Sequence, residues 1–239
     1  MGYLNHATAT DGGTQSTSVV VDKPTGLSDG DLMFFIIHFD FQNNGAGHVT
    51  WPAGWTPIPS VDGEADSNID QASLAVAYKV ASSEGANYTA TLAFSDFWCA
   101  AVVAYNNCPA SPYDTGVNSG HDITADAGPS WTIDALSLTT ATDNETLLWV
   151  GAIDNVNTFA VIGTITYDMP SGFTSRGTVA DPLWCSMAWG DKVQATAGSS
   201  GSISSTASVI SDTGNAGQMA ALIAFKQNAT TGNLAWIRA

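Results

Sequence analysis

The stretch that most constrains the fold is residues 29–41, Asp-Gly-Asp-Leu-Met-Phe-Phe-Ile-Ile-His-Phe-Asp-Phe. Its apolar centre is far short of the roughly 20 residues that a bilayer span requires. Turn chemistry brackets it, with Asp29-Gly30 on one side and Asn43-Asn44-Gly45 on the other. A short apolar run between turns reads as a fully buried strand rather than a helix. A second segment of this kind occupies residues 143–154, Asp-Asn-Glu-Thr-Leu-Leu-Trp-Val-Gly-Ala-Ile-Asp.

The recurrence extends along the chain. Alternating segments at residues 16–22 and 131–138 precede the two buried strands, and Met169-Pro170-Ser171-Gly172-Phe173-Thr174 echoes Trp51-Pro52-Ala53-Gly54-Trp55-Thr56. Residues 187–193 parallel 75–80, which brings Lys79 and Lys192 into register, and residues 219–225 parallel 100–105, matching Phe225 to Tyr105. Further alternating strands fall at residues 88–94 and 203–209. Five elements in one order at nearly constant separation indicate an internal duplication. Short strands, 23 Gly, 9 Pro and no amphipathic helix give an all-β expectation: a single antiparallel β-sandwich or jelly roll of about ten strands. Two separate lobes would each expose unpaired strand edges. The halves, residues 16–106 and 129–227, are therefore expected to share one sandwich in a pseudo-twofold arrangement. Residues 107–128 read as an irregular connector, 1–15 as an N-terminal arm and 228–239 as a C-terminal arm.

Charge narrows the partners. Against 22 Asp and Glu the chain of 239 residues carries only 6 Lys and Arg, for a net charge of -16. Phosphate backbones are bound by Lys and Arg that displace counterions, so nucleic acid and anionic membrane surfaces are excluded. Neutral glycans, cations and basic or apolar protein surfaces stay open. With 12% charged residues, burial of the 44% hydrophobic fraction must supply most of the stability. Of three cysteines, Cys99 and Cys185 lie in apolar strand sequence and are expected as reduced core thiols. The first residues lack a basic segment followed by an apolar one, so synthesis in a cytoplasm without a signal peptide is expected.

The ordered set Lys23-Pro24-Thr25-Gly26, Gly30-Asp31-Leu32, Pro52-Ala53-Gly54-Trp55-Thr56, Tyr78-Lys79-Val80-Ala81 and residues 101–105 resembles β-sandwich domains of bacteriophage virion proteins, including tail-fibre, tail-tip and capsid-attached proteins. The likeness covers residues 16–227, and it lies in the order of the motifs rather than in any one of them. It implies a structural or adhesive module with no shared catalytic residues. The implied setting is a virion assembled in a bacterial host, with major capsid or tail proteins as partners and a homo-oligomer as the expected state.

No zinc motif, phosphate loop or nucleophile elbow is present. Among 22 carboxylates some pair will fall at glycosidase separation by necessity, so a glycoside hydrolase is the remotest reading. His38, at the end of the first buried strand, reads as a satisfied residue at the edge of the core. Asp66, Asn68 and Asp70 alternate like the front of a Ca²⁺ loop, but Gln71 stands where the sharp-turn Gly belongs and the distal Glu is missing. The loop reads as solvated, and no cofactor is expected beyond that partial match to Ca²⁺. Of eight Trp, those at 98, 149, 184 and 189 read as core. Trp55 is expected to plug the end of the sandwich. Trp51 is the aromatic that could face a ligand, and it sustains the alternative of a carbohydrate- or host-receptor-binding module. The terminal segments bring apolar residues to the ends: Tyr3 and Leu4 in one, Leu234, Trp236 and Ile237 in the other. These five are the candidate contacts to a neighbouring subunit or partner protein.

Overall fold

A computed structural model describes residues 2–40, 47–59, 61, 63–64, 72–118, 130–155, 165–208 and 216–228. The described residues form antiparallel strands in five sheets and contain no helix. The first half runs β1 (Tyr3–Thr10), β2 (Ser16–Asp22), β3 (Leu32–Phe39), β4 (Val49–Thr50), β5 (Thr56–Pro57), β6 (Gly63–Glu64), β7 (Ser73–Val80), β8 (Asn87–Asp96) and β9 (Trp98–Tyr105). The second runs β10 (Tyr113–Asn118), β11 (Ser130–Ala135), β12 (Thr139–Thr140), β13 (Glu145–Asn155), β14 (Thr166–Asp168), β15 (Thr174–Ala180), β16 (Cys185–Gln194), β17 (Gly198–Ser199), β18 (Ile203–Ser208) and β19 (Ala216–Phe225).

Each half has a large sheet and a small one. The large sheets read β1-β9-β3-β7-β5 and β10-β19-β13-β16-β15, and the small ones β2-β8-β4 and β11-β18-β14. The two orders correspond strand for strand. Registers correspond too: Tyr105 opposes Leu32 and Phe225 opposes Thr146, while Lys79 opposes Met33 and Lys192 opposes Leu147. Even the first strand's bulge is repeated, between Tyr3 and Asn5 and between Tyr113 and Thr115.

Three cores stack the sheets into four layers. On β3, Leu32, Phe34 and Ile36 enter one core and Met33, Phe35 and Ile37 another, because successive side chains point to opposite faces. The second of these cores lies between the large and small sheets of the first half, with Val19, Val21, Tyr88, Ala90 and Leu92 opposite β3. Its equivalent in the second half gathers Trp131, Ile133, Leu147, Trp149 and Leu222. The remaining core joins the two large sheets face to face, with Leu32, Phe34 and Ile36 meeting Leu148, Val150, Met187 and Ile223. We call this contact the seam.

Three expectations change. In place of one sandwich of about ten strands there are two two-layer units stacked through their large sheets, because β3 and β13 are buried on both faces and so require a layer on each side. Residues 3–10, expected within an arm, form the edge strand β1 against β9. The connector at residues 107–128 contains β10, paired with β19. The two buried strands are each central to a large sheet, and they face one another across the seam.

Turns position these strands by the same means in both halves. Before β3, Gly30 adopts φ 91°, and before β13 Asn144 adopts φ 61°, the left-handed region that Gly and Asn enter most cheaply. The Asp31 carboxylate accepts the Ser28 N–H, as Glu145 accepts that of Thr142. Asp29 accepts from Ser83 N–H at 2.7 Å, and Asp143 from Ala197 N–H at 2.8 Å. In the Pro-x-Gly turns, the Trp55 N–H donates to Pro52 and the Phe173 N–H to Pro170, with Gly54 and Gly172 both at positive φ. Lys79 carbons lie against Gly54, and the Lys192 ammonium sits 4.8 Å from the centre of the Phe173 ring.

Candidate functional site: the seam between the two halves

The seam gathers the most concentrated polar chemistry among the described residues. Its apolar middle is closed at one end by aromatic rings, with Phe34 and Tyr105 packed 5.0 Å and 4.8 Å from Phe225. Beside them the Tyr105 hydroxyl crosses the seam and donates to Asp191 at 3.0 Å. Asp191 also accepts two bonds from Arg176, from Nε at 2.9 Å and Nη2 at 2.8 Å. Arg176 is the bulged residue of β15, where the register against β16 shifts between Ser175 and Gly177. A bulge re-aims a side chain, and here it places the guanidinium beside the buried Asp191. The same guanidinium lies 4.8 Å from the centre of the Tyr3 ring. Tyr3 donates to the Arg176 carbonyl at 3.2 Å and its hydroxyl also bonds the His6 ring, which stands edge-on to Trp189. Burial raises the pKa of both phenols, and for Tyr105 the Asp191 carboxylate adds to the rise, so both remain protonated donors.

Removing the cation tests this arrangement. Arg176→Met leaves the Asp191 charge nearly buried with Tyr105 as a remaining donor, and breaking a buried pair costs more than the pair contributes. Arg176 is itself partly exposed, which lets water replace some of the loss. A destabilisation of about 2 kcal/mol is expected in urea denaturation. A change below about 0.5 kcal/mol, typical of a surface site, would show that Asp191 does not depend on Arg176.

The opposite end of the seam is acidic. His38 reaches across it, with Nε2 3.0 Å from the Ile153 carbonyl and Nδ1 2.9 Å from that of Ser73. A neutral ring has one N–H and can donate to only one of them at a time. Burial lowers the His38 pKa, against the upward pull of the two carbonyls and of Asp181. Around it lie Asp11, Asp40, Asp96, Asp154 and Asp181, with Cys99 and Cys185 close enough to interact with them. Burial pushes both thiols well up, so they stay protonated and are poor nucleophiles. All three cysteines are buried thiols. Among the described residues no group of three or more His, Cys, Asp or Glu has a metal-holding arrangement. The groups that meet at this end of the seam can share protons and hydrogen-bond across it.

The residues singled out from sequence fall elsewhere or within the chain's own packing. Tyr3 is half-buried against the seam, and Leu4, the bulged residue of β1, packs on the core of the first half and approaches Gly26. Both are engaged internally rather than carried on a free arm. Trp51 is half-buried with its ring 5.5 Å from Phe35 and its indole nitrogen enclosed. Trp55 plugs the first-half core between Phe35 and Tyr88. Trp98, Trp149 and Trp189 are buried, and Trp184 is half-buried against Phe97. Asp66, Asn68, Asp70, Leu234, Trp236 and Ile237 lie outside the described residues. Arg176 and Asp191 were not singled out, although one signal was available: in a chain with 6 basic residues, each is a pointer to an anion that needs it. Compared with protein-family models, curated proteins and solved structures, the chain gives no match.

Proposed function

We propose that the protein is a non-enzymatic structural component of a bacteriophage virion, decorating or stabilising the capsid or forming part of a tail or fibre assembly through protein–protein contacts. One observation carries the reading: the motifs that resemble virion domains fall on the turns before β3 and β5 and on the central strands β7 and β9 of a sandwich unit, and the unit is built twice. Asp29 and Asp143, Gly54 and Gly172, and Lys79 and Lys192 occupy the same places in the two halves. We infer from these pairs that the halves arose by internal duplication. Stacking through the large sheets leaves both small sheets and two sets of loops directed outward, which suits a module that bridges neighbouring subunits. The charge of -16 favours partners with basic or apolar faces over nucleic acid or anionic lipid.

Electron microscopy of the parent particle, with this chain labelled, tests the reading. Label at regular positions on the capsid, tail or fibre is expected, and purified particles that lack the chain would overturn it. Leu234, Trp236 and Ile237 are proposed as contacts to the particle or to another copy. Deleting residues 233–239 should then lower occupancy on the particle while leaving the melting temperature unchanged. A glycan array separates the alternative: sugar binding abolished by Trp51→Ala would make the protein a receptor-binding module instead.

A further inference from the structure

We propose that the two halves are latched at the acidic end of the seam by carboxyl pairs that share protons, so that the joint is tight in acid and loosens as pH rises past neutrality. Carboxyls of the two halves converge across the seam at two places. Asp11, just after β1, holds the Gly13 N–H, and Oδ1 of Asp181, which lies between β15 and β16, would stand 3.9 Å from a Cβ on Gly13; Asp40, just after β3, and Asp154 of β13 flank the cross-seam bond of His38 to the Ile153 carbonyl. A carboxylate only accepts hydrogen bonds, so two of them can bond only if one retains its proton.

The remaining bonds of these groups fit that requirement. Asp181 is fully buried; its Oδ2 accepts from the Leu183 and Trp184 N–H groups at 3.0 Å and 2.8 Å, while Oδ1 meets no donor. Asp11 Oδ1 accepts from the Gly13 N–H at 2.9 Å, and its Oδ2 is enclosed without one. Asp96, only 3% exposed, accepts from the Phe97 N–H through Oδ1 and likewise has an enclosed Oδ2. Each carboxyl gives one oxygen to the backbone and turns the other inward. For the Asp11 and Asp181 pair, a proton held between them supplies the missing donor.

The groups facing the pairs among the described residues are His38 of β3, Asp96 of β8, Cys99 of β9, Tyr167 of β14 and Cys185 of β16. Among the described residues no Lys or Arg acts on Asp11, Asp40 or Asp96. Burial is the largest cause of the rise at all three, to about 7 for Asp11 and about 8 for Asp96. Since the folded values exceed the unfolded one near 4, the folded state holds more protons through this window. The stabilisation is fully present below about pH 4, declines as pH rises, and is exhausted above about pH 8. Burial lowers the His38 pKa, so its own contribution to stability rises with pH and opposes that of the carboxyls up to the usual imidazole value of 6.5, above which the carboxyls act alone.

Melting of the full chain between about pH 6.5 and 9, above the range in which His38 opposes the carboxyls, is the test. A fall of about 5 °C or more in melting temperature is expected. Amide exchange at Ile153 and Asp154, corrected for intrinsic rate, should accelerate over the same range while that at Leu147 and Leu148 does not. In Asp11→Asn and Asp40→Asn an amide N–H replaces the shared proton, and the pH slope should flatten. A melting temperature independent of pH, or an unchanged slope in both variants, would overturn the latch. Should the variants fail to fold, infrared absorption of protonated carboxyls in the unaltered protein decides: the band is expected at pH 6 and lost by pH 9, and its absence at pH 6 refutes proton sharing.

Discussion

Leu148→Asp is expected to leave no cooperatively folded protein. Leu148 is fully buried on β13, facing the seam core that includes Val150, Met187 and Ile223. A carboxylate there is opposed by apolar side chains from both large sheets. An isolated buried charge costs many kcal/mol, and even the protonated acid without a partner costs about 1–3 kcal/mol beyond the packing lost with Leu. Folding stability as a whole is about 5–15 kcal/mol. Phe35→Asp places the same charge in the core between the large and small sheets of the first half, beside Trp51 and Trp55 at 5.5 Å. If the four layers form one cooperative stack, both variants lose near-UV circular dichroism and the urea transition together. A soluble Leu148→Asp protein with native near-UV signal would show that the large sheets do not meet there, and native-like Phe35→Asp would break the first half's core.

What the sequence disclosed follows from how many faces of a strand are buried. Strands β3, β7, β9, β13, β16 and β19 lie inside the two large sheets, so their side chains are apolar over most of their length and they stand out. Edge strands β1, β10 and β15 pair on one side only, and Tyr-Leu-Asn-His-Ala-Thr-Ala-Thr or Thr-Ser-Arg-Gly-Thr-Val-Ala carries little of the alternation that marks a strand. Sequence alone therefore reads the first as arm and the second as connector, and leaves β15 unmarked. The layer count was legible in principle. An unbroken run such as Leu32 to Ile37 cannot belong to a two-layer sandwich, whose strands give one face to water. Avoiding unpaired edges pointed toward a single sandwich, yet face-to-face stacking solves a different problem, the burial of a second apolar face. Polar edge strands then close the sheets on their own terms.

The seam's polar groups were less accessible for a related reason. Asp11, Asp40, Asp96, Asp154 and Asp181 are far apart in the chain and sit at strand ends or turns, where a carboxylate is ordinary. Pairing within the first half gathers Asp11, Asp40 and Asp96, and the stacking of the second half adds Asp154 and Asp181. Arg176 depends further on a bulge, which no periodicity announces. By contrast, the paired turns were legible because each uses residues with local conformational demands: Gly54 and Gly172 at positive φ, and Asp29 and Asp143 accepting backbone N–H groups.

Gly151→Ala should destabilise the protein by about 3 kcal/mol, at the upper end for overpacking a core. A Cβ at residue 151 would stand 2.4 Å from both Cη2 and Cζ2 of Trp149, because the indole lies along its own strand across the bare Cα two residues on. Trp149 is fully buried against the small sheet of the second half, so its ring cannot swing away without displacing the layer that carries Trp131 and Ile133. In a chain of this size such a loss lowers the melting temperature by about 10 °C. Trp149→Phe alone should also destabilise, by the cavity it leaves. Combined, the two changes compensate, since a smaller ring vacates the space the new methyl needs. A double-mutant cycle in urea should therefore show a favourable coupling of about 1–2 kcal/mol. Strict additivity, or a Gly151→Ala protein within about 0.5 kcal/mol of the original, would mean that the ring is not held over Gly151. The neighbouring strand pair supplies an independent check on the seam side. There Gly177 of β15 opposes Trp189 of β16, and a Cβ would again come within 2.4 Å of the indole. Gly177→Ala would force Trp189 toward the core between the large sheets, so its cost should couple to Trp189→Phe and not to Trp149→Phe.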